Sequence, residues 1–279
     1  MKQKILESIA DAIVRARKTG HMLRPWTSRP EGLSVADAYV VADIIHQRML
    51  AQGAKPAGRK LGFTNPEMWA LYGVSEPIWA YVYDTTVSHL SPPRHTFGLT
   101  DLPEPMLEPE IVLHFDRSPG PTPSVAEIVA CIDWIAHGVE IVRSHYPNWD
   151  FSQADTIADG GLHAHLLVGP PLYVHDWLSQ TKRQPAQFER ELNDLEVRLK
   201  LNGVECASGS GDQVLGGPLP AIQHLSRLLA DANQGPPLRS GELVTTGSLC
   251  PAQPIEAGDT WVSEINGLGL SGLEVTFCS

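Results

Sequence analysis

The chain has few cysteines, and their positions exclude two structural roles that cysteine often has. Of its 279 residues only four are cysteine, at Cys131, Cys206, Cys250 and Cys278, far apart and without a C-x-x-C pair. This spacing favours neither a disulfide framework nor a zinc site, and free thiols are typical of a reducing compartment. We therefore expect a cytoplasmic protein.

Basic residues and long apolar runs are also scarce. Lysine plus arginine number 21 against 32 acidic residues, so the formal net charge is −11 with histidine neutral. This balance argues against nucleic acid or an anionic membrane as a partner. The N-terminal segment spreads its charges among apolar residues and resembles neither a signal peptide nor a membrane span. With 42% hydrophobic residues the chain nevertheless has enough apolar surface for a substantial core.

Familiar catalytic motifs are missing or incomplete. No Gly-x-Ser-x-Gly occurs, so a serine hydrolase is unsupported. His163 and His165 form an H-x-H pair, but a metal site of that kind needs a glutamate a few residues later, and residues 166–170 contain none. His163 therefore remains either a pocket residue beside a Gly-Gly turn or a hydrogen-bonded structural histidine. Lys60 lies in a glycine-bounded segment, and a solvated lysine is the default interpretation.

Apolar spacing predicts two helices first and mainly strands afterwards. Residues 5–16 and 38–50 repeat apolar positions at three- and four-residue intervals, and Ser34 to Asp37 has the form of a capping box. Asn202-Gly203 is a strong hairpin signal. The later segments are predicted as strands at 78–83, 106–115, 139–142, 162–168, 195–201, 244–249, 260–265 and 273–277, helices at 124–135 and 222–229, and a loop at 154–161.

This order of elements predicts an α+β fold, in which N-terminal helices precede a mixed β-rich body. No internal repeat or low-complexity linker interrupts the chain. We expect an N-terminal helical region at 1–55 and a single β-rich catalytic unit at 56–279.

Two acids, Glu108 and Glu110, begin a predicted strand, where residues at i and i+2 share a face. Two charges about 4 Å apart repel by roughly 4 kcal/mol at an effective dielectric constant of about 20. Buried carboxylates must therefore share a proton, bind a cation or stay solvated. Glu140 is a third acid, between β-branched residues, and joins them if its segment is the neighbouring strand. Mg²⁺ or Mn²⁺ suits such oxygen ligands, whereas the spacing of the first two acids alone favours a solvated edge.

Several motifs occur in an order that resembles one family. They are GRKLGFT at 58–64, YGVSEPIWAYVYD at 72–84, EPEIVL at 108–113, IDWIAHGVEIV at 132–142, ADTIADGGLHAHLLVG at 154–169, LEVRLKLNGVECASGSGDQVLGGPLPAIQHL at 195–225 and SGELVTTGSLCPAQPIEAGD at 240–259. Together the segments resemble the 2-oxopent-4-enoate hydratases and 4-oxalocrotonate decarboxylases of the fumarylacetoacetate hydrolase superfamily.

The resemblance implies a body of the fumarylacetoacetate hydrolase C-terminal-domain type, a homo-oligomer and a Mg²⁺ or Mn²⁺ site. The family's metal carboxylates fall on Glu108, Glu110 and Glu140, and its pocket lysine falls on Lys60. The other residues that we predict at the site are His163 for proton transfer, and Arg59, Leu61, Thr246, Gly247 and Ser248 for substrate binding.

The implied substrate is a 2-oxo acid, whose enolate a Lewis-acidic metal stabilises. Hydration of a 2-hydroxy-2,4-dienoate to a 4-hydroxy-2-oxo acid is the first hypothesis. Decarboxylation of a 2-oxo-3-enedioate, C–C hydrolysis of a 2,4-dioxo acid, oxo acid binding without catalysis, and a purely structural oligomer with solvated acids are the alternatives.

Two departures from the family pattern bear on that choice. Ile78 occupies the position where hydratases of the family commonly have an acid, and an apolar residue there is closer to the decarboxylase pattern. The family's A-D-N-A-S segment is here Ala158-Asp159-Gly160-Gly161-Leu162, which lacks an amide and a hydroxyl. Proton transfer must then be arranged differently, through His163 or Glu76, or the substrate must differ.

Overall fold

The computed structural model describes residues 2–69, 73–74, 76–231 and 235–279, and the side chain of Met68 is not described. Tyr72 and Ser75, which belong to the motif at 72–84, lie outside these residues. Among the described residues, no helix combines the length and the apolar character that crossing a membrane requires.

Helices and strands alternate irregularly along the described chain. The helices are α1 Gln3–Thr19, α2 Val35–Ala51, α3 Val125–Cys131, α4 Gln153–Ala158, α5 Val174–Thr181, α6 Pro185–Asn193 and α7 Pro218–Ala230. The strands are β1 Pro56–Gly62, β2 Ile78–Tyr83, β3 Val87–His89, β4 Arg94–Gly98, β5 Met106–Phe115, β6 Ile132–Val142, β7 His163–Val168, β8 Leu172–Tyr173, β9 Glu196–Leu201, β10 Val204–Ser210, β11 Leu243–Ser248, β12 Gln253–Pro254, β13 Thr260–Asn266 and β14 Glu274–Cys278. The predicted α+β class is confirmed.

The two N-terminal helices form as their sequence predicts. Helix α1 buries one apolar face and ends at Gly20, whose φ of 64° gives the left-handed C-cap that glycine favours. Helix α2 begins after Ser34, whose hydroxyl accepts a hydrogen bond from the Asp37 N–H. Their buried faces share an apolar cluster with Ile78 of β2 and Val142 at the end of β6. The helices therefore pack against the body near the end of β6.

The strands form two sheets. The larger has the order β2-β1-β11-β5-β6-β7-β3, with β12 paired to β5 and β8 to β6, and the smaller has the order β10-β9-β13-β14-β4. Strands β5 and β6 are long antiparallel neighbours near the middle of the larger sheet. Their pairing decides where the acidic residues meet.

Strand β5 separates its side chains as the alternation predicts. Leu107, Ile111, Leu113 and Phe115 belong to the main apolar core, whereas Val112 belongs to a smaller cluster. The hairpin at Asn202-Gly203 is also confirmed, because β9 and β10 pair there with Leu201 opposite Val204. The predicted helix within α7 and the three closing strands are confirmed as well.

The helix predicted over 124–135 is wrong in its second half. Helix α3 ends at Cys131, and residues 132–142 form β6, which runs through Gly138 instead of stopping there. Most of β6 is buried, so apolar residues occur on both of its faces and the two-residue alternation is hidden. Glycine is needed at 138 because a Cβ atom would lie 2.6 Å from Val112 Cγ2.

The loop predicted over 154–161 is also wrong, because most of it is helix α4, which reaches Ala158. Ser152 and Asp155 form a capping box at its start. The Asp155 carboxylate additionally accepts a hydrogen bond of 2.7 Å from the backbone N–H of Trp26. Helix α4 is thus fixed by a buried acid that the sequence analysis assigned to a loop.

Candidate metal centre

The pairing of β5 with β6 brings together three acidic side chains. Glu108 lies opposite Glu140 in the register, and Glu110 lies opposite Gly138. Each of the three glutamates offers one carboxylate oxygen that lies within 4.8 Å of those of the other two. The predicted convergence of Glu108, Glu110 and Glu140 is confirmed.

Burial excludes the alternative of a solvated acidic edge. Glu110 and Glu140 are both 0% exposed, and only Glu108 keeps part of its surface accessible. Within the described part of the chain, these are the three acidic, histidine or cysteine residues placed closely enough to share one ion. The H-x-H pair contributes to no such group there.

Lys60 of β1 is buried beside the carboxylates and is 3% exposed. Its Nζ atom lies 3.0 Å from Glu140 Oε2 and donates a hydrogen bond of 2.9 Å to the carbonyl of Gly161. Gly161 has a φ of 66°, and a Cβ atom at that position would lie 2.9 Å from Lys60 Cδ. Because glycine has no side chain, Gly161 leaves room for the side chain of Lys60.

His163 is bonded at both ring nitrogens. Its Nδ1 lies 2.7 Å from Glu140 Oε1, and its Nε2 lies 2.9 Å from the Thr86 hydroxyl. Burial lowers the pKa of His163 although Glu140 acts in the opposite direction. A neutral ring with the proton on Nδ1 donates to the carboxylate and accepts from Thr86.

Backbone groups hold Glu110. The Gly247 N–H donates a hydrogen bond of 2.8 Å to Glu110 Oε2. Gly247 has a φ of 104°, and a Cβ atom there would lie 1.8 Å from Thr64 Oγ1, so this close approach requires glycine. The backbone carbonyl of Glu110 lies 3.1 Å from Nδ1 of His137, whose Nε2 lies 2.7 Å from the Ser263 hydroxyl. His137 thereby connects the two sheets beside the three glutamates.

The electrostatics of the cluster follow from burial and from its mixture of charges. Burial raises the pKa of Glu110 and of Glu108, and the Glu140 charge raises both further. Burial would also raise the pKa of Glu140, but Lys60 and the hydrogen bond from His163 lower it below its usual range. For Lys60, burial acts to lower the pKa, and the three carboxylates outweigh it and raise the pKa. Lys60 is therefore protonated at neutral pH.

A divalent cation fits this donor set. Glu110 Oε1 is buried without a hydrogen-bond partner among the described residues, and an unpaired buried carboxylate oxygen is costly. Three carboxylates and one ammonium leave an excess of negative charge when all are ionised. Hard divalent cations prefer such oxygen ligands, so Glu108, Glu110 and Glu140 are the residues that would hold one.

The cluster opens into a cavity of about 300 Å³. Its lining includes Lys60 and Glu108, together with Gly161, Gly247 and Ser248. Its other walls are largely apolar and include Leu61, Phe63, Ile78, Met106, Val142, Trp149, Phe151 and Leu162. Ile78, at the position predicted to lack an acid, thus lies in the cavity wall and is 1% exposed.

Only some of the residues predicted to bind substrate lie in the cavity wall. Leu61, Gly247 and Ser248 line the cavity. Arg59 alternates with Lys60 on β1, pairs with Glu242 and places its guanidinium over the ring of Trp79, so it lies outside the cavity wall. A substrate contact from Arg59 has no support in this arrangement, because its charge is neutralised and packed elsewhere.

The polar groups of residues 246–248 already have protein partners. The Thr246 hydroxyl donates to the carbonyl of Ile111, and the Ser248 hydroxyl donates to the carbonyl of Cys250. Thr246 is buried outside the cavity wall, whereas Ser248 has only to rotate its hydroxyl to meet a ligand. Thr246 therefore supports β5, which it contacts, whereas Gly247 and Ser248 are the residues of this segment that line the cavity.

Sequence reasoning missed Thr86 and the Gly161 carbonyl, which orient His163 and Lys60. It also missed the aromatic walls, Phe63, Trp149 and Phe151. No local motif marks a backbone carbonyl or a hydroxyl that acts through another residue. The glycine pair at 160 and 161 was the available sequence signal, because glycine readily adopts the positive φ values that both residues have in the structure.

The chain is similar to known proteins over most of its length. Residues 77–276 match the family described as fumarylacetoacetate (FAA) hydrolase C-terminal. The "2-keto-4-pentenoate hydratase" of Paraburkholderia xenovorans LB400 is 29% identical over 264 residues, covering 94% of this chain and 92% of that protein. The "TodF product hydratase" of Pseudomonas putida F1 is 30% identical over 261 residues, covering 93% and 91%.

A solved structure is similar over almost the full length. The 4-oxalocrotonate decarboxylase from Pseudomonas putida G7, complexed with magnesium and adipate, has a TM-score of 0.87 and 25% identity, covering 99% of this chain and 98% of that chain. The same enzyme complexed with calcium and acetate has a TM-score of 0.84. Full-length similarity thus extends to enzymes of two reaction types.

Proposed function

Because the chain belongs to the fumarylacetoacetate hydrolase family, we propose that it is a lyase that requires a divalent metal and acts on 2-oxo acids. Its proposed reaction is the hydration of a 2-hydroxy-2,4-dienoate to a 4-hydroxy-2-oxo acid. The observation that carries this proposal is the group of three largely buried glutamates with Lys60, next to a cavity that Lys60 and Glu108 line. The two hydratases at 29% and 30% identity support the choice of hydration.

We propose that Mg²⁺ or Mn²⁺ is the ion that Glu108, Glu110 and Glu140 hold. When bound, such an ion acts as a Lewis acid that lowers the energy of an enolate on a 2-oxo acid. Magnesium in the similar decarboxylase structure supports this assignment. Gly247 keeps one oxygen of Glu110 fixed, which leaves the unpartnered Oε1 for the ion.

Lys60 is the proposed proton donor and acceptor. An ammonium group has three N–H donors. The Gly161 carbonyl and Glu140 engage two directions of this group, and the remaining donor serves the cavity that Lys60 lines. The ammonium form of Lys60 is the state needed to deliver a proton to a substrate carbon.

Hydration of 2-hydroxypenta-2,4-dienoate requires two proton transfers to carbon and the addition of one water molecule. Lys60 delivers a proton to C5, and its amine then takes the proton of the enol hydroxyl, which leaves a conjugated 2-oxo-3-enoate. The oxygen of water next bonds to C4, C3 gains a proton from Lys60, and the amine recovers a proton from the added water. The apolar cavity walls restrict the water that reaches these carbons.

His163 has a positioning role in this proposal. Both of its ring nitrogens are bonded to protein groups, and it is not part of the wall of the cavity that contains Lys60. It therefore orients Glu140 in the way that a hydrogen-bonded partner orients a metal ligand. This role differs from the proton transfer predicted from the sequence.

Decarboxylation is the second candidate, and Ile78 favours it. Loss of CO₂ from 2-oxohex-3-enedioate breaks the bond between the distal carboxylate and its neighbouring carbon, and the electron pair passes to the 2-oxo oxygen. This step needs no base for water, so an apolar residue at 78 does not oppose it. Lys60 would then protonate the resulting dienolate. The structural similarity to a decarboxylase adds support.

The deciding experiment follows both substrates separately by ultraviolet absorbance with Mg²⁺ or Mn²⁺ and identifies the products by mass. Gain of water by 2-hydroxypenta-2,4-dienoate supports hydration, and loss of CO₂ from 2-oxohex-3-enedioate replaces it with decarboxylation. A chelator should stop either reaction. Pyruvate release from a 2,4-dioxo acid would indicate C–C hydrolysis, and metal-dependent binding without turnover would indicate an oxo acid binding protein.

The proposal extends to a homo-oligomer in the cytoplasm, as the sequence and the family resemblance predict. Size-exclusion chromatography with light scattering measures the number of subunits, and a monomer at micromolar concentration would contradict this part of the proposal.

A further inference from the structure

A second and larger cavity, of about 830 Å³, lies between the N-terminal helices and β2. One wall consists of aromatic residues, Tyr39 of α2 and Trp79, Tyr81 and Tyr83 of β2. This volume is within the range of pockets that hold small molecules. Aromatic walls offer apolar contact area to a ligand body.

Arg143 lines this cavity and is 8% exposed. Its guanidinium makes no hydrogen bond or ion pair with any residue in the described ranges, and its Nε atom is fully buried. Asp159 interacts electrostatically with Arg143, but it forms its ion pair with Arg17, at 2.8 Å, and its other carboxylate oxygen lies 2.6 Å from His145 Nδ1. A buried cation without a dedicated partner is costly, and an anion is the group that would relieve this cost.

The other charges around the cavity are mainly positive. Arg17 and Lys18 of α1 line it, and the charge of Arg17 is compensated by Asp159. Asp43 is the one acidic residue in the described lining, and it accepts a hydrogen bond from Gln47. The lining thus keeps an excess of positive charge to which Arg143 and Lys18 contribute.

This cavity is separate from the smaller cavity beside the three glutamates. Lys60, Glu108 and Gly247 line only the smaller cavity, whereas His163, Thr86 and Gly160 line only the larger one. His163 lines the larger cavity, and its Nδ1 contacts Glu140, one of the three glutamates of the candidate metal centre.

We propose that the larger cavity binds a small organic carboxylate, whose carboxylate group pairs with Arg143 and whose apolar part lies against the aromatic residues of β2. A guanidinium binds carboxylate oxygens through parallel N–H donors, and the bond strengthens where water is excluded. A depth that leaves Arg143 only 8% exposed suits a small molecule better than a flat protein surface. The bound carboxylate would lie beside His163 without contacting the glutamates.

The test is a titration of 4-fluorobenzoate with the full-length protein, followed by ¹⁹F NMR, with neutral 4-fluorobenzamide as the second probe. The benzoate should bind and the benzamide should bind at least about tenfold more weakly, because the charge-assisted pair is absent. Arg143→Gln should weaken benzoate binding by roughly tenfold or more on the same grounds. The matched control is Arg15→Gln, which makes the same charge change at an exposed arginine outside the cavity lining.

A second variant keeps the test decisive if Arg143→Gln fails to fold. Lys18→Glu reverses a charge at an exposed position of the lining and should also weaken benzoate binding. Glu110→Gln, which alters only the group of three glutamates, should leave benzoate binding unchanged. The test of this cavity is therefore independent of the proposed reaction. Absence of binding, equal binding of the benzamide, or sensitivity to Glu110→Gln but not to the Arg143 and Lys18 variants would overturn the proposal.

Discussion

The Nδ1 atom of His163 lies 2.7 Å from Oε1 of Glu140, so a histidine on β7 fixes the orientation of a glutamate on β6. The other oxygen of Glu140 lies 3.0 Å from Lys60 Nζ. Glu140 is thus held from both sides and keeps the lowered pKa that an ionised metal ligand needs.

Replacing His163 should reduce metal affinity more than it reduces the rate of the chemical step. His163→Ala leaves Glu140 Oε1 without its donor, and loss of such a partner typically lowers metal affinity by about 10- to 100-fold. His163→Asn can still donate to Glu140 and should restore part of that affinity. Calorimetric titration with Mn²⁺ measures the affinity, and turnover at saturating Mn²⁺ measures the chemistry. If both variants bind Mn²⁺ normally but lose turnover, His163 transfers protons instead.

Glu110→Gln should abolish metal-dependent turnover and leave the protein folded. The substitution keeps the shape of the side chain and removes a charge that burial and the neighbouring acids disfavour. Without metal, its melting temperature should equal or exceed that of the unmodified protein. A ligand at one hundred times its dissociation constant stabilises a protein by about 2.7 kcal/mol, so the loss of the Mn²⁺-induced thermal shift is easily measured.

The control for that variant is Glu205→Gln, at an exposed glutamate of β10. It removes the same charge far from the cluster in the sheet order and should keep both the thermal shift and the turnover. Normal turnover of Glu110→Gln would contradict the assignment of the metal ligands.

Lys60→Met should lower kcat by about 10²- to 10⁴-fold, the range typical of a lost general acid or base. KM should change less, because the glutamates remain in place. Lys60→Arg keeps the positive charge but not the compact ammonium that fits beside Gly161, so we expect it to restore little activity. Steady-state kinetics at saturating Mg²⁺ measures both constants, and a Lys60→Arg variant with full kcat would show that only a fixed charge is needed.

Asp159→Asn should destabilise the protein at neutral pH. Burial acts to raise the pKa of Asp159, but Arg17 and His145 outweigh it and lower the pKa. Breaking a buried ion pair typically costs about 3–5 kcal/mol. Because the folded-state pKa lies below the unfolded value of about 3.9, this stabilisation is present above about pH 4 and is lost as the pH falls through the folded-state pKa.

Urea unfolding at a series of pH values measures this difference between Asp159→Asn and the unmodified protein. The difference should be constant near neutral pH and shrink in acid. Asp11→Asn is the control, because Asp11 pairs with Arg48 at the surface, and such pairs contribute about 0–1 kcal/mol. A difference that grows in acid would contradict the role of the Asp159 charge.

The convergence of the three glutamates was predictable from strand geometry, whereas their role as metal ligands was implied by the family resemblance. Glu108 and Glu110 share a face by strand alternation alone, and Glu140 joins them through the pairing of neighbouring strands. The sequence did not predict where helix α3 ends and strand β6 begins. Ile132 and Ile135 fit a helical spacing, yet in the structure they belong to a strand with apolar contacts on both faces.

The role of His163 and the position of Arg59 depended on contacts that sequence spacing does not contain. The neighbour of His163 at Nε2 is Thr86, which is 77 residues away in the chain. Arg59 is adjacent to Lys60 but is held on the other face of β1 by Glu242 and Trp79. Helix α4 was missed because Asp155 resembles a loop residue until its capping bonds are seen.

His137 connects Glu110 on the larger sheet to Ser263 on the smaller sheet, so the two sheets are not independent folding units. Burial lowers the pKa of His137 to about 4, so the neutral ring donates from Nδ1 to the Glu110 carbonyl and accepts from the Ser263 hydroxyl. Ser263 lies on β13, which follows all strands of the larger sheet in the chain. We therefore expect the two sheets to unfold in one cooperative transition, and a fragment that ends before β13 to lack a preformed metal cluster.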